Sequence, residues 1–345
     1  MAFLSRSREV GPLDGVDLLL ADLDGVVYAG AGALPHAIES LNKAAEGRAL
    51  GYVTNNAART DASVAAHLGE LGLSVRPHDV VTSPQAASRL LQTMVAPGST
   101  VLVVGGEGLV AELERAGFVV TRTADDGPAA VVQGFAPEVN WLQLAEAAYA
   151  LKTPPEEGGI PWIATNNDWT IPQSRGLAPG NGTLVSAVHT AVGRLATVAG
   201  KPETPIFEEA VARFGASSPL FIGDRLDTDI KGANAAGIPS ALVLTGVDRP
   251  KHVLAADPVS RPTYILSDLR ELHEPYPEAR TKRDGTVTVR DAAVRIEGYR
   301  VVPVSRGTRQ IDLLRAASKA IWDSGRAIYG FDVDESLYAD PFHRP

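Results

Sequence analysis

Short apolar runs alternate with amphipathic stretches along most of the chain. Apolar residues at helical spacing predict helices over residues 38–45, 62–71, 142–151 and 206–214. Six continuous apolar runs lie between and around them and predict buried β-strands: Leu18–Ala21, Gly51–Val53, Val101–Val104, Ala130–Val132, Leu220–Ile222 and Ala241–Leu244. Continuous apolar strands separated by helices indicate a parallel sheet that is covered on both faces. The sequence therefore predicts an α/β fold with a doubly wound parallel sheet, in which ligands bind beyond the carboxyl ends of the strands.

The pattern changes after residue 271. Residues 272–284 are rich in charge and proline, and they predict a linker. Beyond the linker, the apolar pattern predicts a hairpin formed by Thr286–Val289 and Ala293–Ile296. It then predicts a further strand over Tyr299–Val304 and a helix over residues 310–322. We expect residues 284–345 to form a small C-terminal α+β appendage with a structural or regulatory role.

Length and composition narrow the class of protein. A chain of 345 residues and 36.3 kDa suits two or three domains. A net charge of −9 and a pI of about 5.3 disfavour a nucleic-acid partner, although a local cluster of donors still permits a small anionic substrate. The lack of cysteine excludes disulfides and thiolate catalysis. No signal peptide or membrane span is predicted, so we expect a cytoplasmic protein with no membrane partner; the sequence leaves a homo-oligomer open.

Two carboxylates follow the first predicted strand. Asp22 and Asp24 are two positions apart, so on an extended strand their side chains point the same way and share one site. Gly25 lets the backbone approach a ligand closely. Two such carboxylates repel each other unless a cation lies between them, and Mg²⁺ is the natural cation for oxygen ligands. The alternative interpretation is a solvated turn, which Asp and Gly also favour.

Other polar residues occupy the ends of later strands. Thr54 and Asn55 follow the second strand and have donors for a phosphate oxygen, or else they cap a helix. Lys201 lies near a predicted helix start, where it neutralises a phosphoryl group or is ordinary surface charge. Asp224 follows the strand at residues 220–222 and is placed to complete a metal site with the first pair. Asp229, at the next helix start, is placed to stabilise that end or to orient its neighbours.

Taken together, these motifs resemble the haloacid dehalogenase superfamily, and within it the p-nitrophenylphosphatase/NagD-like branch. The resemblance rests on four motifs that occur in the same order in that branch: Ala21-Asp22-Leu23-Asp24-Gly25-Val26-Val27-Tyr28, Val53-Thr54-Asn55-Asn56, Gly200-Lys201-Pro202 and Gly223-Asp224-Arg225-Leu226-Asp227-Thr228-Asp229-Ile230. It covers roughly residues 14–270 and does not include the C-terminal appendage. It implies a Rossmann-like core domain.

The spacing of the motifs predicts where a second domain is inserted. The gap between Thr54 and Lys201 is far longer than the gaps on either side of it and has its own alternation of strands and helices. Members of this branch have a substrate-covering cap at this place. We therefore expect a discontinuous core domain formed by residues 1–82 and 197–271, and an inserted cap domain formed by residues 83–196.

The resemblance also implies a reaction and a set of site residues. The expected protein is a Mg²⁺-dependent phosphatase that hydrolyses a small phosphorylated metabolite through an aspartyl-phosphate. Asp22 is the expected nucleophile and Asp24 the general acid and base. The expected metal ligands are Asp22, Asp224 and the main-chain carbonyl of Asp24. The residues expected to bind the phosphoryl oxygens are Gly25, Thr54, Asn55 and Lys201, and Asp229 is expected to support the site.

The cap is expected to choose the leaving group. Four residues in a loop that resembles the family's cap loop are the candidates for substrate specificity: Asn166, Asp168, Trp169 and Arg175. The alternative interpretation of this loop is a rigid proline turn with a packed tryptophan. Asn167 and Trp169 stand where the family pattern has a proline and a smaller apolar residue, so the shape of this pocket departs from the pattern.

Glycerol 3-phosphate is the expected substrate, because bacterial glycerol-phosphate phosphatases of this branch with a C-terminal extension resemble the chain overall. Sugar phosphates, nucleotides, pyridoxal phosphate and phosphoglycolate are the alternatives. A non-catalytic phosphometabolite sensor is the rival from another class, and it would bind phosphoesters without releasing phosphate. A dehalogenase needs neither Asp24 as an acid nor a magnesium site, and a phosphotransferase would differ in its products.

Overall fold

The computed structural model describes residues 10–173 and 175–339. The strands within these residues, numbered β1 to β20, are Leu18–Ala21, Tyr28–Ala29, Gly32–Ala33, Ala49–Thr54, Val80–Thr82, Thr100–Val104, Val119–Thr121, Ala130–Gln133, Trp162–Ala164, Thr170–Gln173, Gly176–Pro179, Thr197–Val198, Pro219–Gly223, Ser240–Val243, Tyr264–Leu266, Ala279–Thr281, Val287–Val289, Ala292–Glu297, Arg300–Arg306 and Asp332–Val333. The α-helices, α1 to α10, are Ala37–Ala44, Asp61–Glu70, Ser83–Gln92, Glu107–Arg115, Trp141–Ala150, Asn181–Val192, Pro205–Phe214, Lys231–Ala235, Pro250–Leu254 and Gln310–Asp323.

The α/β fold predicted from the sequence is confirmed. All six predicted strands and the four predicted helices of residues 38–214 are present, with ends within two residues of those expected. The chain divides into two compact units. Unit 1 consists of Met1–Leu50 and Ala216–Pro345, and unit 2 consists of Gly51–Gly215.

Unit 1 contains a parallel sheet with the strand order β15-β14-β13-β1. Residues of β1 and β14 are buried along their whole length, as the continuous apolar pattern predicts for strands that are covered on both faces. β1 and β13 pair in parallel, with Leu18 opposite Pro219 and Ala21 opposite Ile222. Both strands therefore end at the same edge of the sheet, and the residues that follow them lie side by side.

The C-terminal part of unit 1 forms a second sheet with the order β16-β17-β18-β19-β20. β16 to β19 are antiparallel, whereas β20 pairs in parallel with β19. Helix α10 has an almost completely buried face, because its apolar residues recur every three or four positions. The predicted hairpin, strand and helix of this region are thus all present.

One hydrophobic core joins the two sheets of unit 1. Leu242 and Ile265 of the parallel sheet belong to the same buried cluster as Val289, Leu314 and Ile321 of the C-terminal part. The C-terminal part therefore has no separate core of its own, because its apolar helix face packs against the edge region of the parallel sheet.

The prediction of a free linker over residues 272–284 is wrong. A 3₁₀-helix covers Leu269–His273, and strand β16 lies inside the predicted linker and pairs with β17. The tyrosine between the two prolines of the segment, Tyr276, accepts a hydrogen bond from the main chain of Ile265 at 3.0 Å. Proline and charge are typical of linkers, but here neighbouring elements supply the hydrogen bonds and buried contacts that order the segment.

A buried guanidinium fixes this junction. Arg315 of α10 donates to the carbonyl of Ile265 and to the carboxylates of Glu271 and Asp312, and it lies 4.5 Å from the ring centre of Tyr276. Burial alone would lower the pKa of Arg315, but the negative charges around it outweigh burial and raise that pKa above its usual range. All three nitrogens of the buried group donate hydrogen bonds, which makes its burial tolerable.

Unit 2 contains a parallel sheet with the order β12-β9-β8-β6-β7, the parallel pair β4 and β5, and the antiparallel hairpin β10-β11. Helix α3 begins directly after β5, where Thr82 and Gln85 form a capping box that satisfies two main-chain N–H groups. Unit 2 thus repeats the α/β alternation that the sequence shows between Thr54 and Lys201.

The longest helix among residues 10–173 and 175–339 is α10, with 14 residues. None of the helices described there has the length and hydrophobicity that crossing a bilayer requires.

Because α10 and β14 share one core, a cavity made in α10 should also destabilise β14. Leu314 is 2 % exposed, and its replacement in Leu314→Ala should cost ~2–4 kcal/mol of unfolding free energy, measured by urea titration. Hydrogen exchange of β14 should accelerate together with that of α10, because both elements bury side chains in one core.

A matched control is Lys319→Ala, which removes only a surface ion pair of α10 with Asp323 at 2.7 Å. It should change the unfolding free energy by less than ~0.5 kcal/mol. Faster exchange confined to residues 287–337 in Leu314→Ala would show that the C-terminal part is energetically independent.

Candidate active site

Two of the predicted carboxylates meet at the edge of the parallel sheet of unit 1. The pairing of Ala21 with Ile222 continues past the strand, since the N–H of Asp22 donates to the carbonyl of Ile222 at 2.9 Å. Asp224 follows two residues later on the neighbouring strand. Asp22 is 9 % exposed and Asp224 is 1 % exposed. Burial of Asp22 contradicts the alternative of a solvated turn for this residue.

Asp229 completes this cluster. It lies in a short π-helical turn, Leu226–Ile230, that precedes α8, and it is fully buried. Its Oδ2 accepts hydrogen bonds from the N–H groups of Asp224 at 3.2 Å and Arg225 at 3.1 Å. Asp22, Asp224 and Asp229 each offer a carboxylate oxygen, and these three oxygens lie within 4.8 Å of one another.

The loop after β14 holds the cluster from another side, and the sequence analysis missed it. Thr245 donates its hydroxyl to the carbonyl of Gly25 at 2.7 Å, and the N–H of Val247 donates to Asp224 Oδ2 at 2.6 Å. Asp248 accepts from the N–H of Leu226 at 2.5 Å and so holds the turn that contains Asp229. The sequence does contain a feature that could have predicted this loop. Thr245 and Gly246 directly follow the apolar run Ala241–Leu244, as the other motifs follow their strands.

Two glycines make room for Asp224. A Cβ atom at Gly25 or at Gly246 would overlap Asp224 Oδ2, and Gly25 also has a φ of +80°, which side chains rarely adopt. Gly25 thus approaches the Asp224 side chain closely, and its approach to a ligand stays a prediction.

The donor set fits a hard divalent cation. Three buried carboxylates this close repel each other unless a cation or a proton neutralises them, and carboxylate oxygens are the ligands of Mg²⁺. The side chain of Asp24 differs from the other three because it is exposed and lies outside the cluster described for residues 10–173 and 175–339. The sequence analysis gave Asp229 only a supporting role, whereas the structure places its carboxylate in the cluster with Asp22 and Asp224.

Unit 2 contains the predicted phosphate-binding side chains. Thr54 at the end of β4 is 5 % exposed and Lys201 is 4 % exposed. The alternative of surface charge for Lys201 is therefore wrong. The alternative of a helix cap for Thr54 and Asn55 is also wrong, because α2 begins at Asp61 and its cap is Thr60. Lys201 precedes α7 by a turn of chain rather than opening it, and its Nζ donates to the carbonyl of Val53 at 3.4 Å.

Asn55 connects three segments of unit 2. Its Nδ2 donates to the carbonyl of Lys201 at 3.0 Å and to Asp168 Oδ1 at 3.2 Å, and its Oδ1 accepts from the N–H of Lys201 at 2.8 Å. Its own carbonyl accepts from the side chains of Ser83 at 2.8 Å and Asn166 at 2.7 Å. The structure therefore brings the second and third motifs together with two of the four predicted cap residues.

The four cap residues have different environments. Asn166 is 4 % exposed, whereas Trp169 is 61 % exposed, so the alternative of a packed tryptophan is wrong. Arg175 is exposed at the turn of the β10-β11 hairpin. Two residues of this loop are thus held by hydrogen bonds, and two present their side chains to solvent.

Comparison with known proteins defines the class. Residues 19–119 match the family of haloacid dehalogenase-like hydrolases, and residues 198–272 match an HAD-hydrolase-like family. The D-glycerol 3-phosphate phosphatase of Mycobacterium tuberculosis is 49% identical over 258 residues, which are 75% of this chain and 71% of that protein. The chain therefore belongs to the haloacid dehalogenase-like hydrolases, and the phosphatase class predicted from the sequence is confirmed.

Solved structures agree with this assignment. The glycerol phosphate phosphatase from Mycobacterium tuberculosis in complex with magnesium superposes with a TM-score of 0.83 at 40% identity and covers 95% of both chains, so the match extends into the C-terminal part. The p-nitrophenyl phosphatase from Archaeoglobus fulgidus has a TM-score of 0.68 at 28% identity, covering 74% of this chain and 98% of its own. The branch named by the sequence resemblance is confirmed.

The glycine at position 246 gives a direct test of the carboxylate cluster. Gly246→Ala adds a Cβ that must displace the Asp224 carboxylate, so we expect Mg²⁺ affinity, measured by titration calorimetry, to fall ~10-fold or more. Gly32→Ala is the matched control, because a Cβ there meets no atom within 4 Å. Unchanged affinity in Gly246→Ala would show that the cluster is not the metal site.

Proposed function

We propose that the protein is a Mg²⁺-dependent phosphomonoester hydrolase whose substrate is glycerol 3-phosphate. The observation that carries this proposal is the convergence of the buried carboxylates of Asp22, Asp224 and Asp229 at the carboxyl ends of β1 and β13. A sheet edge of this kind is where α/β folds bind ligands. A cluster of buried carboxylates there suits the binding of a divalent cation.

Asp22, Asp224 and the main-chain carbonyl of Asp24 are the groups that we propose as magnesium ligands. Asp229 supports them, because its Oδ2 holds the main chain of Asp224 and Arg225. When bound, Mg²⁺ supplies positive charge that offsets the charge of the carboxylates and of the phosphoryl group. The magnesium complex of the Mycobacterium tuberculosis relative supports this choice of cation.

The two carboxylates of the first motif divide the reaction. Asp22 attacks phosphorus, the bond from phosphorus to the ester oxygen breaks, and Asp24 gives its proton to that oxygen as the alcohol leaves. A water molecule then attacks the aspartyl-phosphate, Asp24 takes a proton from it, and phosphate leaves with Asp22 restored. Burial of Asp22 and exposure of Asp24 suit these roles, because a nucleophile must be fixed and a proton carrier must exchange protons with solvent.

Thr54, Lys201 and the main chain at Gly25 are the groups that we propose for binding phosphoryl oxygens. Lys201 contributes a buried positive charge, which is worth more than an exposed one because water does not screen it. Asn55 was predicted for the same role, but its side-chain amide already binds Lys201 and Asp168. These bonds engage both N–H donors of its amide, so we propose that Asn55 positions Lys201 instead.

Substrate choice rests on the relatives and on the cap. The glycerol-phosphate phosphatase of Mycobacterium tuberculosis supports glycerol 3-phosphate as substrate. We propose residues 83–196 as the cap, residues 1–82 and 197–271 as the core, and Trp169 and Arg175, both exposed, as specificity residues. We also propose a cytoplasmic location and no nucleic-acid partner, on the acidic net charge of −9 and the absence of cysteine.

Phosphate release from a panel of small phosphomonoesters tests the proposed function. The wild type should release phosphate from glycerol 3-phosphate only with Mg²⁺ present. Asp22→Asn should lower kcat by ~10³-fold or more on every ester, because the amide cannot form the phosphoenzyme. Binding of esters without release by the wild type would favour the sensor and overturn the hydrolase.

The division of roles predicts a leaving-group effect. Asp24→Asn should lower the rate of alcohol release ~10²-fold or more for glycerol 3-phosphate, whose alkoxide needs a proton. Release of p-nitrophenolate, a weak base, should fall far less in a single turnover. Equal losses in the first turnover of both esters would show that Asp24 is not the acid for the leaving group.

A further inference from the structure

The main chain of Lys201 is hydrogen-bonded to the side chain of Asn55. Asn55 Oδ1 accepts from the N–H of Lys201 at 2.8 Å, and Asn55 Nδ2 donates to the carbonyl of the same residue at 3.0 Å. Two bonds to one peptide segment fix its position and its orientation, as pairing between strands does. The lysine side chain therefore extends from a main chain that is anchored to β4.

Asp168 reinforces the orientation that the Asn55 amide takes toward Lys201. An asparagine amide has two N–H donors, and here one goes to Lys201 and the other to Asp168 Oδ1 at 3.2 Å. If the amide were rotated by half a turn, its donors would face the N–H of Lys201 and its oxygen would face the carboxylate. The carboxylate thus stabilises the same orientation that the N–H and carbonyl of Lys201 require.

The loop that contains Asp168 is itself rigidly held. Asn181, in the first turn of α6, donates to the carbonyl of Asn166 at 2.8 Å, and the N–H of Gly182 donates to the carbonyl of Asp168 at 2.9 Å. Asn166 in turn donates to the carbonyl of Asn55 at 2.7 Å. A chain of hydrogen bonds therefore runs from the start of α6 through the loop to Asn55.

The backbone is shaped for this contact. A Cβ at Gly200 would lie 2.6 Å from Asn55 Oδ1 and 2.6 Å from the carbonyl of Thr165. Side chains do not tolerate such distances, so only glycine lets the segment before Lys201 approach β4 and the cap loop together. The glycine of the third motif is explained by this three-way contact.

We infer that Asn55 and Asp168 are positioning residues for Lys201, and that Asp168 acts through Asn55 instead of contacting the leaving group. The inference rests on the proposed function, in which the Lys201 ammonium stabilises charge on the phosphoryl group. A displaced ammonium loses much of that stabilisation, since catalysis by charge depends on groups held in advance. This assigns to Asp168 a role different from the substrate specificity that its place in the loop suggested.

The variants Asp168→Ala and Asp168→Asn separate positioning from substrate contact. Asn still accepts the bond from Asn55, whereas Ala does not. Asp168→Ala should lower kcat/KM by a similar factor, ~10–100-fold, for glycerol 3-phosphate and for p-nitrophenyl phosphate, and Asp168→Asn should recover most of the loss. A loss restricted to glycerol 3-phosphate would overturn the inference, because p-nitrophenol has no hydroxyl groups of glycerol for Asp168 to bind.

A second pair of variants tests the link itself. Asn55→Asp sets a carboxylate against Asp168, and the double variant Asn55→Asp with Asp168→Asn restores a donor and an acceptor across the link. We expect the double variant to be more active than Asn55→Asp alone. Effects that merely add would contradict the link. Glu156→Ala is the control, because this residue of unit 2 is exposed and lies outside the loop, and its rate should stay within ~2-fold of the wild type.

Hydrogen exchange measures the positioning without any turnover. The N–H of Lys201 donates to Asn55 Oδ1, so its peptide should exchange ~10-fold faster in Asp168→Ala and at the wild-type rate in Asp168→Asn. Unchanged exchange in Asp168→Ala would overturn the inference whatever the activity. A wild type that releases phosphate from neither ester would instead overturn the proposed function, and the exchange result would still decide whether Asp168 holds Lys201.

Discussion

Repulsion among three buried carboxylates is the constraint on which the candidate site of unit 1 depends. Asp22, Asp224 and Asp229 are held within 4.8 Å of one another by a parallel register and a π-helical turn. Apolar strands bury the sheet edge and provide the stability that offsets this repulsion. Glycines at 25 and 246 leave room for the carboxylate of Asp224, and main-chain N–H groups orient it. The region is arranged to concentrate negative charge, which is the requirement for binding a hard cation.

Unit 2 buries a positive charge, that of the Lys201 side chain. Lys201 is 4 % exposed, and its main chain is hydrogen-bonded to Asn55, whose amide also donates to Asp168. The bonds from Asn55 go to the main-chain N–H and carbonyl of Lys201. They therefore act on the peptide of Lys201 itself. This arrangement sets the place from which the lysine side chain extends.

The C-terminal part shares one hydrophobic core with the parallel sheet of unit 1. The guanidinium of Arg315 lies within hydrogen-bond distance of Ile265, Glu271 and Asp312, and one hydrophobic core runs from Leu242 to Leu314. Charge and proline in residues 272–284 suggested a linker because such residues rarely occur in buried segments. Here the side chains of α10 and the strand β17 supply partners for this segment, and partners of that kind are invisible in a local pattern.

The sequence by itself determined the elements and the residues at their ends. Continuous apolar runs predicted β1, β13 and β14, and the motifs at strand ends and helix starts predicted Asp22, Asp224 and Lys201 as site residues, because apolar runs and the residues at their ends are local properties. Only the tertiary structure decided that Asp229 joins the carboxylate cluster while Asp24 stays outside it, that the loop after β14 supports Asp224, and that Asn55 binds Lys201. These contacts join residues that are far apart in the chain or depend on how a turn is wound, and a hydrogen bond between distant segments leaves no periodic signal in either of them.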